Sequence, residues 1–213
     1  MLDVVYNKFT NPPFSENCYV IHNSDAEALI IDPGGRYDEI KSFIKKHNLI
    51  PLAILLTHSH PDHMAHAGLF CKEYKIKCYI NKNEMEIFDY GEKTWRFITK
   101  NSKYYPPKNE ELIFFHDNNL FIGKFVVETY TFPGHSPGSS IIKINELIFT
   151  GDCLLKDNVG RTDLIGGSKN ALRESIKAFP FFNEKFIFLP GHGEQFDLNT
   201  LNVNNRFWEI FNS

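Results

Sequence analysis

Four histidines and one aspartate crowd into the short stretch LLTHSHPDHMAH, Leu55–His66. The other five histidines are spread over the rest of the 213 residues. Clustered imidazoles repel one another when they are protonated and make poor core material when they are neutral. A bound metal ion is the usual reason for such a cluster. The stretch therefore predicts a metal site, provided that other segments of the chain supply the remaining ligands.

Three later segments share one layout, in which an apolar strand runs into a glycine-containing turn that carries His or Asp. They are TFPGHSPGS with His135, IFTGDCLL with Asp152, and FLPGHGE with His192. Open sheet folds place ligand-binding groups at the ends of strands, so these side chains and the histidine cluster can converge. A lone His or Asp in such a turn is usually solvated, but four such sites in this order predict a shared site.

Short strands alternate with amphipathic helices in both halves of the chain. Apolar spacing predicts a helix over Arg36–Asn48 and another from about Asp62 to Tyr74, which Pro61 begins. The run NKNEMEIFDYG predicts a helix that ends at Gly91. Further helices are predicted over SKNALRESIKAFP and around Thr200–Phe211. Strands with helices between and after them indicate two sheets packed face to face with helices outside.

The segment EKTWRFITKNSKYYPPKNEE, residues 92–111, is the least regular part of the chain. Its aromatic residues, lysines and paired prolines predict an exposed excursion. Two interpretations are open for it, a loop on the substrate side of the site and a solvated linker.

The bulk composition is that of an ordinary globular protein, with 42% hydrophobic and 23% charged residues. The net charge of −3 gives no basic excess for a phosphate backbone, so nucleic acid is not an expected partner. An acid at position 3 and the short apolar runs argue against a signal peptide and a membrane span. The four cysteines show no CxxC spacing, so we expect reduced thiols in a cytoplasmic protein.

The HxHxDH pattern of the cluster and the three later turns together resemble the metallo-β-lactamase superfamily over nearly the whole chain. The resemblance implies an α+β fold, a four-layer αββα sandwich formed by one domain over residues 1–213. It also implies two divalent metal ions, with Zn as the first expectation and Fe or Mn as alternatives. The implied ligands fall into a first set, a second set and a bridge: His58, His60 and His135; Asp62, His63 and His192; and Asp152.

Asp62 has a second implied role as the catalytic group that orients the attacking hydroxide. His66 stands where most relatives have glycine, and we expect it to lie outside the ligand set, either facing solvent or behind the ligands. His22, His47 and His116 match no motif and are expected on the surface or on strands. Asp152 occupies the bridging position where the common zinc β-lactamases have Cys, which argues against antibiotic hydrolysis as the main activity. Cys153 is expected to be a small buried filler.

The segment GDCLLKDNVGRTDLIGG, Gly151–Gly167, resembles the corresponding segment of the glyoxalase II-like hydrolases of the short bacterial type. That resemblance implies hydrolysis of a thioester such as S-lactoylglutathione by a metal-bridging hydroxide. Arg161 matches a basic residue that binds the glycyl carboxylate of glutathione, and an ion pair with Asp163 is the alternative for it. Two other functions stay open, a persulfide dioxygenase with one iron, suggested by the GRTD segment, and a non-catalytic metal-binding scaffold. The sequence leaves the oligomeric state unknown.

Overall fold

Two β-sheets form the centre of the fold in the computed structural model, which describes residues 2–100, 102–179, 181, 185–201 and 205–212. The first sheet has six strands and the second has five. The first sheet contains, in spatial order, β1 Val4–Asn11, β2 Glu16–Asn23, β3 Glu27–Ile31, β4 Ile50–Leu55, β5 Lys77–Asn81 and β6 Leu112–Phe115. The second contains β11 Ile187–Pro190, β10 Leu147–Gly151, β9 Ser140–Ile144, β8 Phe125–Thr131 and β7 Asn118–Ile122.

α-Helices lie around the two sheets. They are α1 Tyr37–Lys46, α2 Pro61–Met64, α3 Ala67–Tyr74, α4 Tyr90–Ile98, α5 Lys169–Lys177 and α6 Arg206–Phe211. In the described part of the chain, no helix is both long enough and apolar enough to cross a membrane.

Three hydrophobic clusters separate these layers. Ile40 of α1 and Phe70 of α3 pack on the outer face of the first sheet. Leu55 and Phe149 belong to the cluster between the sheets. Leu172 of α5 lies in the third cluster, on the outer face of the second sheet. The order is therefore helix, sheet, sheet, helix, and the predicted α+β four-layer sandwich is confirmed.

Strand direction brings the ligand-bearing turns to one edge of the sandwich. Strands β3, β4, β5 and β6 run parallel to one another. Strand β10 is parallel to β11, and both β8 and β10 are antiparallel to β9 between them. The amide of Ser140 donates to the carbonyl of Thr57 at 2.9 Å and joins the two sheets there. The carboxyl ends of β4, β8, β10 and β11 consequently meet around one site.

The helix predicted from about Asp62 to Tyr74 is wrong as one element, because α2 ends at Met64 and α3 begins at Ala67. Pro61 does occupy the first position of α2, as predicted. The amide of His66 donates to the carbonyl of Pro33 at 3.0 Å instead of continuing the helical ladder. The loop after β3 thus takes over a hydrogen bond that an unbroken helix needs.

The prediction of a helix ending at Gly91 is also wrong. Residues Lys82–Glu86 form a 3₁₀ turn, and Gly91 lies inside α4, which begins at Tyr90. A side chain at Gly91 would collide with the hydroxyl of Tyr104, 2.4 Å from the ideal Cβ position. Packing against a distant residue, and not a helix end, therefore accounts for this glycine.

Part of the segment 92–111 is regular, since α4 extends to Ile98. The chain after it returns to the body of the protein through two backbone hydrogen bonds, Tyr105 to Ala65 at 2.7 Å and Gly68 to Tyr105 at 2.8 Å. The C-terminal helix begins at Arg206, later than predicted, and residues 202–204 of that prediction lie outside the described residues.

Candidate metal centre

All seven predicted ligands lie around one point at the edge of the sandwich. His58 and His60 follow β4, and the N-terminal turn of α2 carries Asp62 and His63. Buried strands anchor these segments, because β4 is apolar and fully enclosed over Ala53–Leu55. The other three, His135, Asp152 and His192, follow β8, β10 and β11. The two sheets thus contribute to one site.

Close approaches between donor atoms place six of the seven residues in two groups of three. His58, His60 and His135 form one possible metal-binding group, and Asp62, His63 and His192 form another. A third group, Asp32, His58 and His63, overlaps both of them. In the first group, Nδ1 of His60 lies 2.8 Å from Nε2 of His135. In the second, Nε2 of His192 lies 3.4 Å from Oδ2 of Asp62.

Asp152 lies between the two groups. Its Oδ1 is 3.5 Å from Nε2 of His63 and its Oδ2 is 3.5 Å from Nε2 of His135. Oδ2 also lies 3.6 Å from Nε2 of His192, so the carboxylate contacts rings of both groups. This location between the groups fits the bridging position that the family resemblance implies for Asp152.

The ring nitrogens that point away from the centre are held by hydrogen bonds. Nδ1 of His58 lies 3.0 Å from the hydroxyl of Thr57, and Nδ1 of His63 lies 3.0 Å from Oδ2 of Asp32. Nδ1 of His135 donates to the carbonyl of Arg161 at 2.8 Å, and Nδ1 of His192 to that of Phe14 at 3.1 Å. Such contacts fix the tautomer and the orientation of metal-binding histidines. Each of these four rings consequently directs Nε2 inward.

Three inward atoms have no hydrogen-bond partner although they are buried, namely Nε2 of His58, Nε2 of His63 and Oδ1 of Asp152. An unpaired buried polar atom costs roughly 1–3 kcal/mol, so three at one point call for a ligand. Gly191 leaves room beside them, because a Cβ there would lie 2.5 Å from both Oδ1 of Asp152 and Cε1 of His63. Imidazole and carboxylate donors around this space fit divalent Zn, Fe or Mn.

The protonation states of the site are mixed. Burial lowers the pKa of His63, but the charge of Asp152 and hydrogen bonds to Asp152 and Asp32 together raise it by more, so this ring would release a proton on binding a metal. Burial, reinforced by neighbouring rings, holds the pKa of His58 well below its usual range and lowers the pKa of His60 to about 3. Both rings are therefore neutral at pH 7. Burial opposes ionisation of Asp152, but the charge of His63 and its hydrogen bond hold the pKa of Asp152 well below its usual range. Neutral imidazole and ionised carboxylate are the forms that bind metal.

A buried carboxylate that the sequence did not reveal holds two of the ligand loops together. Oε2 of Glu84 accepts hydrogen bonds from the amide and hydroxyl of Ser59, at 2.6 and 2.5 Å. Its Oε1 accepts from the hydroxyl of Ser136 at 2.5 Å and from the amide of Gly138 at 2.7 Å. Ser59 lies between His58 and His60, and Ser136 follows His135. Glu84 is thus a positioning residue for both loops.

Asp32 is a second positioning residue that was missed. It accepts from the amide of Thr57 at 2.8 Å and from its hydroxyl at 2.6 Å, and it also contacts His63. Asp32 directly follows a buried strand in ALIIDPGG, which is the same layout as the other site residues. The strand-end pattern could therefore have found it, whereas Glu84 shows no such signal.

Arg161 does not present a free guanidinium. Its Nε and Nη2 donate to the two carboxylate oxygens of Asp163, both at 2.7 Å, and both side chains are exposed. The structure thus contains the alternative ion pair that the sequence left open. The backbone carbonyl of the same residue orients His135.

The other histidines lie apart from the two metal-binding groups. His66 is half-buried at the break between α2 and α3, and its ring lies 6.5 Å from that of Tyr105. His47 and His116 are exposed, and His22 is half-buried on β2. All four cysteines are buried and free, as expected for reduced thiols, and Cys153 is 1% exposed as a packed filler.

The chain belongs to the metallo-β-lactamase superfamily, whose family model matches residues 11–192. A probable metallo-hydrolase of Bacillus subtilis, YqgX, is 36% identical over 208 residues, which cover 93% of this chain and 95% of that protein. The hydroxyacylglutathione hydrolase GloC of Haemophilus influenzae is 31% identical over 84% of this chain and 86% of its own length.

A solved structure, that of the B3 metallo-β-lactamase BLEG-1, superposes with a TM-score of 0.79. It is 30% identical and covers 92% of this chain and 95% of its own. Fold, donor set and family agree: the chain belongs to a superfamily of metallo-hydrolases, and its candidate metal site lies at the carboxyl edge of the two sheets.

Proposed function

We propose that this protein is a binuclear metallohydrolase that cleaves thioesters. The observation that supports two metals is the pair of three-residue donor groups with Asp152 facing both. His58, His60 and His135 would hold one ion. Asp62, His63 and His192 would hold the other. Asp152 would contact both.

Support for the thioester comes from the segment Gly151–Gly167 and from the likeness to a hydroxyacylglutathione hydrolase. Thioester hydrolysis adds the oxygen of water to the acyl carbon and breaks the carbon–sulfur bond. The products are a carboxylic acid and a thiol. Divalent metals supply Lewis acidity that activates water and polarises a carbonyl.

Asp62 is the residue of this chain that would receive the proton of the attacking water. Its side chain is 21% exposed and lines the cleft above the donors. Burial raises the pKa of Asp62, but the hydrogen bond to His192 and the charge of His63 together lower it by more, so the net shift of the pKa is downward. Oδ2 of Asp62 is consequently an ionised acceptor at neutral pH, beside the space where a substrate carbonyl would lie.

The test is hydrolysis of S-lactoylglutathione at neutral pH, with metal content measured on the same samples. We expect more than one equivalent of Zn, Fe or Mn per chain, and loss of activity in Asp62→Asn. Asp89→Asn is the matched control, because Asp89 is exposed and lies outside the cleft lining. Equal activity of Asp62→Asn and wild type would contradict the assigned role.

Two further reactions have specific support and belong in the same experiment. The segment Gly160–Asp163 favours a persulfide dioxygenase. The likeness to BLEG-1 supports testing β-lactam hydrolysis, although Asp152 stands where the common zinc β-lactamases have Cys. If the protein holds one equivalent of iron, consumes oxygen with glutathione persulfide and cleaves no thioester, it is a dioxygenase and not a hydrolase. If the protein cleaves a β-lactam and no thioester, the substrate class is β-lactams and not thioesters. Full metal content with no turnover of any substrate would indicate a metal-binding scaffold.

A further inference from the structure

The proposed metal centre lies at the base of a cleft whose walls are mostly apolar. The cleft has a volume of about 570 Å³, within the range of roughly 300–1,000 Å³ that small-molecule sites occupy. A lactoyl group is small and polar, so it leaves most of this apolar surface without a partner. The size and lining of the cleft therefore point to a larger, less polar substrate group.

Helix α4 forms one wall. Tyr90, Thr94 and Ile98 are spaced four residues apart and lie on one face of the helix, with Trp95 beside them, and all four line the cleft. Tyr90 and Ile98 are each 50% exposed. The ring of Trp95 is fixed at the base, because its centroid lies 5.8 Å from that of Phe14 and its Nε1 donates to the carbonyl of Lys103 at 3.1 Å.

The segment that follows β10 forms the opposite wall. Leu155, Val159, Leu164 and Ile165 line the cleft there, and Ile165 is 53% exposed. The same segment carries Arg161, whose carbonyl orients His135, so this wall is continuous with the metal centre. Exposed apolar side chains that face each other across a cleft mark a ligand-binding surface more than a solvated one.

Charge in the cleft does not favour recognition of an anionic carrier. Among the described lining residues, Arg161 is the one Lys or Arg side chain, and Asp163 already occupies its guanidinium. Glutathione carries two carboxylates. The described lining offers neither of them an unpaired guanidinium or ammonium.

We propose that the cleft binds a thioester that carries an apolar chain of several carbons, held between α4 and the segment Leu155–Ile165. This inference rests on the proposed thioester hydrolysis and names its substrate class. The apolar chain can belong to the acyl group or to the thiol. Each buried methylene contributes about 0.8 kcal/mol, so kcat/KM should rise about fourfold per added carbon until the cleft is filled.

The experiment varies chain length on either side of the same thioester. One series lengthens the acyl group from acetyl to hexanoyl on N-acetylcysteamine, a neutral carrier. A second series keeps acetyl and lengthens an unbranched alkanethiol. A rise of kcat/KM in either series supports the proposal and identifies the side that bears the chain. Flat or falling kcat/KM in both series, with turnover intact, overturns the apolar site and leaves thioester hydrolysis standing.

Two variants and one matched control locate the effect. Ile98→Asn and Ile165→Asn each place a polar group on one wall and should reduce the gain per carbon to less than twofold. Phe97→Asn is the control, because Phe97 neighbours Ile98 on α4, is 88% exposed and does not line the cleft. An equal reduction in all three variants would overturn the assignment of the walls.

Binding of thioethers that cannot be hydrolysed separates this inference from the proposed function. Calorimetry with S-methyl to S-hexyl N-acetylcysteamine should show a dissociation constant that falls with length. That result without any thioester turnover would refute the hydrolase and support the apolar site. Light scattering of the wild type and of Ile98→Asn completes the test. If the wild type is a dimer and the variant a monomer, a second copy of the chain covers this wall, and the proposal is overturned.

Discussion

Glu84→Gln tests whether one buried carboxylate holds the two ligand loops in place. The substitution keeps the size of the side chain and replaces one of its two acceptor oxygens by an amide NH₂. Each carboxylate oxygen accepts from one backbone N–H and one serine hydroxyl. In either orientation of the glutamine, its NH₂ group therefore faces one backbone N–H and one hydroxyl that have lost their acceptor.

The magnitude follows from these contacts. A hydrogen bond to a charged group contributes about 1.5–3 kcal/mol, and Glu84→Gln removes two of them. The serine hydroxyl can turn to another acceptor, whereas the backbone amide cannot, so we expect a loss of about 3 kcal/mol in the free energy of unfolding. Domains of this size have a free energy of unfolding of about 5–15 kcal/mol, so the variant should stay folded.

Urea unfolding of metal-free and metal-loaded protein measures the effect. Metal affinity should fall as well, because Ser59 and Ser136 fix the loops of His60 and His135. Glu86→Gln is the matched control, since Glu86 lies on the same 3₁₀ turn and is exposed. A change below about 0.5 kcal/mol in Glu84→Gln, or equal losses in both variants, would refute the positioning role.

Three further predictions concern the site and its surroundings. His63→Ala should lose one equivalent of metal while His66→Ala keeps both; equal losses in elemental analysis would place the ligands wrongly. Arg161→Ala should raise KM for S-lactoylglutathione less than about fivefold, because exposed ion pairs contribute about 0.2–1 kcal/mol and a substrate carboxylate merely exchanges with Asp163; a tenfold rise with kcat unchanged would show direct carboxylate binding. The four buried cysteine thiols should resist iodoacetamide at pH 8 in the native protein and react fully in urea, since burial raises the pKa of three of them; labelling of native protein would contradict this.

The sequence predicts the site better than it predicts the connecting helices. Residues of the His58–His63 cluster are neighbours in the chain, and the other ligands follow recognisable apolar strands. Glu84 lies in a polar run and reaches partners 25 and 52 residues away, which no local pattern indicates. Gly91 shows the same difficulty, because its contact with Tyr104 becomes visible only after the chain has folded.

The origin of the donors has a consequence for the mechanics of folding. His58 and His60 follow a strand of the first sheet, whereas His135 follows a strand of the second. An ion held by these three residues would be a cross-link between the two halves of the sandwich. Because all four cysteines of the chain are free, this metal cross-link would stabilise the fold in the way that a disulfide stabilises other proteins. Removal of the metal by a chelator should therefore weaken the contacts between the two sheets before it affects either sheet. Faster hydrogen exchange at the amide of Ser140, which bonds to Thr57 across the sheets, would show this.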